Sequence, residues 1–197
     1  MQKPTNYDQT KVGGQYTPIS VGGHHMIIKQ VSETKSSAGK PQIVVLMDTA
    51  PNDSQPGFFS KEFADDIRPD KKWPYPATKW INTEGSDGNC SRMFKSFITA
   101  FEKSNGVEAI WGDGFTKQFK NKKIGAIYGE VENEYNGKTS MRHELRFFCE
   151  DAKVDDAKVP DPVYLDKSKA AAPATSGIPD FVNVPDGEED DLPFGNG

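Results

Sequence analysis

The sequence predicts a mainly β domain, all-β to α+β in class, with its elements in the order strand, strand, strand, helix, strand, strand. Three observations predict it. Apolar, β-branched runs separated by turn residues recur from residue 19 to residue 150, one amphipathic helix interrupts them, and an Asn-Gly pair joins the last two runs. Hydrophobic residues make up 35% of the 197 residues. Glycine raises the apolar share to roughly 44%, just under the globular range of about 45–50%, so the chain can bury a core but not along its whole length.

The first two strands are predicted to form a hairpin. Residues 19–31 read as a strand, and a polar turn at 34–40 separates them from residues 42–49, whose apolar, β-branched sequence is typical of a buried strand. His24 and His25 lie side by side in the first strand, where neighbouring side chains point to opposite faces. We therefore expect ordinary strand residues at these positions and no metal site.

Two helices are predicted in the middle of the chain. Residues 58–67 fit a short helix, after which several prolines prevent any long regular element. The clearest helix covers residues 91–104, where Met, Phe and Ile side chains recur at helical spacing and form one apolar stripe. Asn89 or Ser91 can cap its start, and Gly106 can end it.

The remaining strands lie on either side of this helix. Residues 77–83 predict the third strand, and residues 124–134 and 140–149 predict the fourth and fifth. Asn136 and Gly137 between the last two strands are the strongest short-range hairpin signal, because a type I′ turn needs a positive φ at both central positions.

The fifth strand is expected to alternate strictly between two faces. Arg142, Arg146 and Phe148 would share one face with a glutamate between the arginines, and Leu145 and Phe147 would share the other. One face belongs to the core. The arginine face is then either a binding groove or a solvated outer surface.

This order of elements is that of the OB-fold, a five-stranded barrel with a helix between strands three and four. Its ligands lie over strands two and three and the loops that join strands one to two and four to five. The alternative is another small α+β domain with the same number of elements. We expect a flexible arm at residues 1–18, the OB-fold domain at 19–150, a linker at 151–176 and a disordered acidic tail at 177–197.

The excess of acidic over basic residues arises from the C-terminal end of the chain. There are 24 basic and 29 acidic residues, and six of the acids but no basic residue fall in residues 177–197. The rest of the chain holds 24 basic against 23 acidic residues, so a local basic groove can exist there. Residues 114–129 contain no acidic side chain but a cluster of lysines: Lys117, Lys120, Lys122 and Lys123.

No motif of an enzyme stands out. The sequence has no Walker loop, no zinc-protease or deaminase motif and no Ser/His/Asp or Cys/His pairing, and we expect no cofactor and no metal. A metal-dependent nuclease using Asp65, Asp66, Asp70 and Asp87 is an alternative, but these acids have no diagnostic spacing. The two cysteines lie far apart and the N-terminus lacks a secretory signal, so we expect a cytoplasmic protein.

Aromatic side chains interleaved with cations predict binding of single-stranded nucleic acid, because bases stack on aromatic faces while Lys and Arg meet phosphates. The densest such patch is a proline-rich loop that carries Trp73 and Tyr75. We expect bases to stack on these two rings, with further contacts from Trp80, Phe58 and Tyr135, although core packing is the favoured interpretation for Trp80. The basic side chains expected to meet phosphates are Lys61, Lys71, Lys72, Lys79, Lys122, Lys123, Arg142 and Arg146.

The end of the chain is a candidate protein-binding segment. Its acidic run, closed by an apolar tripeptide, consists of Glu188, Glu189, Asp190, Asp191, Leu192, Pro193 and Phe194. A short hydrophobic anchor flanked by acids suits capture by a basic-rimmed pocket on a partner protein. The alternatives are a solubilising appendage and a tail that competes with nucleic acid for the basic groove.

An OB-like body, a Pro/Ala/Ser linker and an acidic tail containing Asp-Asp-Leu-Pro-Phe resemble the bacterial and phage single-stranded-DNA-binding proteins. The stretches at residues 57–63, 71–73, 94–102 and 123–125 resemble phage-encoded members that belong to replication and recombination modules. In the bacterial proteins the phenylalanine is the last residue and its free carboxylate helps docking. Here three residues follow Phe194, so that carboxylate is missing.

The resemblance implies sequence-tolerant coating of single strands, protection from nucleases, and recruitment of replication, recombination and repair proteins through the tail. For a phage-encoded protein the compartment would be the cytoplasm of the bacterial host. One OB-fold covers about 4–16 nucleotides, so a homodimer or cooperative binding is compatible with this function. The alternative outside DNA binding is an OB-like adaptor whose tail recruits a partner protein.

Overall fold

Five antiparallel strands and two α-helices follow one another in the predicted order. The computed structural model describes residues 2–3, 5, 7 and 17–165. The strands are β1 (Gly22–Lys35), β2 (Pro41–Thr49), β3 (Thr78–Asn82), β4 (Lys123–Tyr135) and β5 (Lys138–Cys149), and the helices are α1 (Phe58–Asp65) and α2 (Arg92–Asn105). The predicted acidic tail and most of the predicted N-terminal arm lie outside the described residues.

The sheet has the strand order β3-β2-β1-β4-β5. Within the described residues no backbone ladder joins β3 to β5, so the sheet is not closed into a ring of hydrogen-bonded strands. Side chains cross this gap instead. The Nζ of Lys79 in β3 donates to the carbonyl oxygen of Leu145 in β5 at 3.0 Å, and the hydroxyl of Tyr128 donates to the carbonyl oxygen of Pro76 at 2.8 Å.

The turn and cap signals of the sequence are confirmed. The Oγ of Ser91 accepts a hydrogen bond from the backbone N–H of Phe94 at 3.2 Å, which satisfies a free donor at the start of α2. Gly106 ends the helix in the left-handed region at φ 61°. Asn136 and Gly137 join β4 to β5 with φ values of 52° and 72°, both positive as a type I′ turn requires.

The core lies between the inner face of the sheet and α2. The rings of Phe97 and Phe101 on α2 meet Phe119 at centroid distances of 5.2 and 4.6 Å, and Phe97 meets Phe148 of β5 at 5.2 Å. Full burial of a side chain of this size contributes about 1.5–3 kcal/mol to folding. The largest fully buried side chains are Tyr128, Phe59, Phe97, Phe101, Phe119, Ile19, Met26, Ile28, Ile43, Met47, Ile81 and Ile124.

The prediction that the side chains of β5 alternate strictly between two faces is wrong, because the strand contains a bulge. Ile127 of β4 pairs with Phe147, but its neighbour Tyr128 pairs with Leu145, so Arg146 is an extra residue in β5. The bulge turns Leu145 and Phe148 towards the same side, where both are buried. Phe147, expected on the face of Leu145, is instead 38% exposed.

A segment after β5, the strap (residues 151–165), crosses the outer face of β1 and β4. Val154 is buried against two glycines of these strands. A Cβ on Gly23 would lie 2.2 Å from the carbonyl oxygen of Val154, and one on Gly125 would lie 2.8 Å from its Cγ2, so only glycine allows this approach. The first compact unit of the chain extends to Leu165, beyond residue 150, where the sequence analysis ended the domain.

Polar contacts at both ends fix the strap. Near its end, the N–H of Val163 donates to the carbonyl oxygen of Glu130 at 3.0 Å, and the N–H of Glu132 donates to the carbonyl oxygen of Val163 at 2.8 Å. At its start, Nδ1 of His25 in β1 lies 2.7 Å from Oδ1 of Asp151, and its Nε2 lies 3.5 Å from Oδ1 of Asp155. Burial lowers the pKa of His25, but the hydrogen bond and charge of Asp151, with Asp155 and Asp53, outweigh it and raise the pKa above 6.5.

The His25–Asp151 contact makes part of the stability depend on pH. Because the pKa of His25 is higher in the folded than in the unfolded chain, its contribution is complete below about pH 6.5 and is lost as the pH rises through the folded-state pKa. Asp151→Asn should therefore lower the free energy of unfolding by about 1.5–3 kcal/mol at about pH 5.5 and by clearly less at about pH 8.5, measured by urea denaturation.

Asp156→Asn is the matched control, since Asp156 is an exposed strap residue for which no contact with His25 is found. This control should leave the pH profile of the wild-type protein unchanged. A loss from Asp151→Asn that is equal at both pH values would contradict the assigned role of the pair.

Candidate nucleic-acid interface

Two aromatic rings stand together on the outside of the sheet at β3. Ile81 is buried, and since successive strand residues alternate between faces, Trp80 points outward and is 42% exposed. Tyr75 lies in a 3₁₀ turn directly before β3 and is 49% exposed. The two ring centroids are 5.8 Å apart at an interplanar angle of 32°. The favoured interpretation of Trp80 as a core residue is therefore wrong, because Lys79 and Ile81 take the inward positions of β3.

Charged side chains of β5 lie within electrostatic range of this pair. Burial raises the pKa of the Tyr75 hydroxyl, the negative charge of Glu144 raises it further, and Arg142 opposes the shift. Burial lowers the pKa of the Lys79 ammonium group, with Glu144 opposing and Arg146 adding to the effect. The gap between β3 and β5 thus brings together five predicted site residues, Tyr75, Trp80, Lys79, Arg142 and Arg146, although they come from two distant parts of the sequence.

The guanidinium group of Arg146 is incompletely paired. Its Nη1 is buried and has no hydrogen-bond partner among the described residues, while its central carbon lies 5.8 Å from the ring centroid of Phe147. Buried donors without an acceptor are uncommon in native proteins. Lys79, Arg142 and Arg146 thus bring three positive charges to the neighbourhood of the carboxylate of Glu144.

An apolar strip adjoins the aromatic pair. In the β2–β3 ladder Val44 lies opposite Trp80 and Leu46 lies opposite Thr78, and both aliphatic side chains are half-buried. Their neighbours Ile43 and Val45 point into the core. The outer face of β2 and β3 therefore combines aliphatic and aromatic surface next to cations, an arrangement that suits a base stacked on a ring with its phosphate held at the edge.

Trp73, on which a base was expected to stack, is half-buried in the structure. Its Nε1 donates to the carbonyl oxygen of Met47 at 2.9 Å, and its ring lies 5.5 Å from that of Phe63, so it ties its loop to β2. The Nζ of Lys71 donates to the carbonyl oxygen of Phe63 at 3.1 Å and lies 4.6 Å from its ring centroid. Both side chains belong to a packed cluster beside α1. Phe59 of α1 is fully buried.

The other predicted site residues are dispersed. Phe58 begins α1 and is half-buried, and the Nζ of Lys61 on the same helix donates to the carbonyl oxygen of Pro56 at 2.7 Å. Lys122 and Lys123 are exposed at the start of β4, and Tyr135 is 70% exposed at the tip of the β4–β5 hairpin. Lys72 is exposed in the loop before β3. The tail residues Glu188, Glu189, Asp190, Asp191, Leu192, Pro193 and Phe194 lie outside the described residues.

The structure also forms a Ser-His-Asp contact that sequence analysis did not find. Nδ1 of His24 lies 3.0 Å from Oδ1 of Asp53, and its Nε2 lies 3.1 Å from Oγ and 3.0 Å from the carbonyl oxygen of Ser20. A carboxylate only accepts, so Nδ1 of His24 donates to Asp53. Asp53 also accepts from the N–H groups of His25 and Gln55, so the cluster fastens the segment after β2 to β1.

The acids considered for a nuclease do not form a metal site. Within the described part of the chain, no group of three or more His, Cys, Asp or Glu side chains is placed to hold a metal ion. Asp66 accepts from Nε and Nη2 of Arg68, at 3.0 and 2.7 Å, and this pairing lowers its pKa to about 2. Asp87 accepts from the backbone and side-chain amides of Asn89 at 2.9 and 2.7 Å.

Comparison with known proteins does not assign this chain to a family. No protein-family model matches the sequence, and no curated protein matches it significantly. Among the described residues no helix is long and apolar enough to cross a membrane.

The hydrogen bond from Trp73 predicts a structural role that a substitution can test. Trp73→Phe keeps an aromatic ring but leaves the carbonyl oxygen of buried Met47 without this donor, which should lower the free energy of unfolding by about 1–3 kcal/mol. Trp80→Phe, at an exposed ring, should change it by less than about 0.5 kcal/mol. Denaturant titration of both variants measures the difference, and equal stabilities would argue against the anchoring role of Trp73.

Proposed function

We propose that this chain is a non-catalytic single-stranded-DNA-binding protein in which bases stack on Tyr75 and Trp80 and phosphates meet the arginines of β5. The observation that carries the proposal is the exposed pair of rings, with Arg142 of β5 within electrostatic range of Tyr75. Base stacking on an aromatic side chain contributes about 1–3 kcal/mol per base and tolerates any sequence, because every base has a π-face.

An OB-like barrel is the architecture that we propose for the body. Strand order β3-β2-β1-β4-β5 with α2 between β3 and β4 supports it, and the side chains that cross the β3–β5 gap stand where such a barrel closes. OB-folds hold oligonucleotides over strands two and three and the adjoining loops. Trp80 and Tyr75 lie at this face, and the strap lies over β1 and β4 and so leaves it uncovered.

Single strands fit this surface better than duplexes. In a duplex the faces of the bases are stacked on one another, whereas a single strand can present them to Trp80. A role as an adaptor without DNA remains the alternative, yet it would not require adjacent exposed rings next to a surplus of cations. Recruitment of replication, recombination or repair proteins by the acidic tail, in the cytoplasm of a bacterial host, completes the proposal.

Truncation of Trp80 tests the stacking role. Trp80→Ala should weaken binding of single-stranded oligo-dT by about 1–3 kcal/mol, because it removes the ring on which a base stacks. Trp80→Phe, which keeps an aromatic face, should retain most of the affinity. An electrophoretic shift assay measures the affinity of the wild-type protein and of both variants, because both substitutions remove the fluorescent indole at position 80. A same-length duplex should compete poorly, and equal affinity for single and double strands would overturn the proposal.

Removal of Arg142 tests the phosphate contact. The logarithm of the binding constant falls with the logarithm of salt concentration by about 0.7 for each phosphate neutralised on a single strand. Arg142→Gln should therefore flatten this slope by about 0.7 and weaken binding to all sequences alike. Arg68→Gln is the control, because Arg68 is occupied by Asp66 and lies outside the aromatic pair. An unchanged slope for Arg142→Gln would remove this residue from the site.

A further inference from the structure

A second exposed ring lies on the loop between α2 and the next 3₁₀ turn. Trp111 is 63% exposed, although one of its faces stacks on Phe115 at a centroid distance of 5.4 Å and an angle of 16°. Phe94 of α2 meets the indole at 6.2 Å in an edge arrangement. Phe94 and Phe115 are both buried, so Trp111 is the exposed member of an aromatic cluster whose other two rings belong to the core.

The loop that carries Trp111 is held in this conformation. The side-chain amide of Gln118 donates to the carbonyl oxygens of Ile110 and Phe115, each at 2.8 Å, and its oxygen accepts from the N–H of Ile110 at 2.7 Å. Oε1 of Glu102 accepts from the N–H of Ala109 at 3.0 Å. The exposure of Trp111 is therefore built into the loop, and a ligand that stacks on it meets a preorganised surface.

The sequence that follows this ring is rich in lysine. Four exposed lysines follow within twelve residues of Trp111 in the sequence: Lys117, Lys120, Lys122 and Lys123. The acids of the same stretch are Glu108 and Asp113, which leaves lysines in excess. Gln118, which fixes Ile110, lies in the turn (Thr116–Phe119) that also carries Lys117, so the ring and the first lysine that follows it in the sequence belong to one ordered unit.

The Trp111 loop is connected through the first turn of α2 to the end of β3, the strand that carries Trp80. That strand ends at Asn82, whose carbonyl oxygen accepts a hydrogen bond from the Oγ of Ser91, the capping residue of α2. Phe94, in the first turn of the same helix, contacts Trp111. A continuous series of contacts thus leads from β3 to Trp111.

We propose that Trp111 is a second stacking platform for the same single strand, with Lys117 and Lys120 as its phosphate contacts. This inference rests on the proposed function and extends it: bases bound at Tyr75 and Trp80 continue past the end of β3 to Trp111. Short oligonucleotides occupy the first platform alone, and longer ones occupy both. The site size of one chain is then set by the span between the two platforms.

The dependence of affinity on oligonucleotide length tests this inference. We compare the full-length wild-type protein with Trp111→Ala on oligo-dT of about 5 and about 20 nucleotides, lengths that bracket most of the range of OB-fold sites. Trp111→Ala should weaken binding of the long strand by about 5- to 150-fold and that of the short strand by less than about 2-fold, whereas Trp80→Ala should weaken both. Lys117→Gln combined with Lys120→Gln, which leaves the ring stack intact, should lower the affinity for the long strand only.

The outcomes separate this inference from the proposed function. If Trp80→Ala weakens binding while Trp111→Ala and the lysine variant bind both lengths as the wild type does, the second platform is overturned and the proposed function stands. If neither ring affects binding, both fail. Sedimentation of Trp111→Ala shows whether the patch instead joins two copies of the chain: loss of self-association with unchanged DNA affinity would also overturn the second platform.

Discussion

The packing of α2 against the inner face of the sheet is the constraint on which the rest of the structure depends. Phe97 and Phe101 of the helix fill the space between β4, β5 and the 3₁₀ turn that carries Phe119. Protein interiors are packed as densely as organic crystals, so an interior filled in this way has no room for further large rings. Trp80 and Trp111 stay at the surface, each beside a buried aromatic or aliphatic neighbour.

Charged side chains of β3 and β5 meet at the gap between these two strands. Two strands joined by a backbone ladder would lie too close for long side chains between them. Here the ammonium group of Lys79 spans the gap to the backbone of β5, and Arg146 is an extra residue at the bulge beside it. A position that a barrel would use for strand pairing thus holds cations, and burial of Lys79 in this gap lowers its pKa.

The strap divides the outer surface of the sheet into a covered part and an accessible part. On β1 and β4, Gly23 and Gly125 let Val154 approach the backbone, and this half of the outer face is covered by the chain itself. On β2 and β3, Val44 and Trp80 stay accessible and form the surface beside the β3–β5 gap. Among the described residues, the strap therefore covers β1 and β4 and leaves the outer face of β2 and β3 accessible.

Local signals explain why much of the fold could be predicted. The order of the elements, the helix cap at Ser91 and the turn at Asn136 and Gly137 depend on residues close together in the chain. The residue types of the candidate site, aromatic rings among lysines and arginines, could also be predicted from the sequence. Which of these residues belong to the site could not be predicted. Trp73 and Trp80 lie in the same aromatic, basic stretch, and nothing in the local sequence distinguishes the ring that anchors a loop from the ring that faces solvent.

The sequence by itself therefore determined which elements form and which kinds of side chain are available for binding. Only the tertiary structure decided which of these side chains meet. The bulge at Arg146 changed the face of Phe148, the register of β2 on β3 set Trp80 beside Val44, and the β3–β5 gap brought Lys79 to Arg146. Each of these depends on contacts between strands that are distant in the chain, and a shift of one residue in such a register exchanges the inner and outer faces.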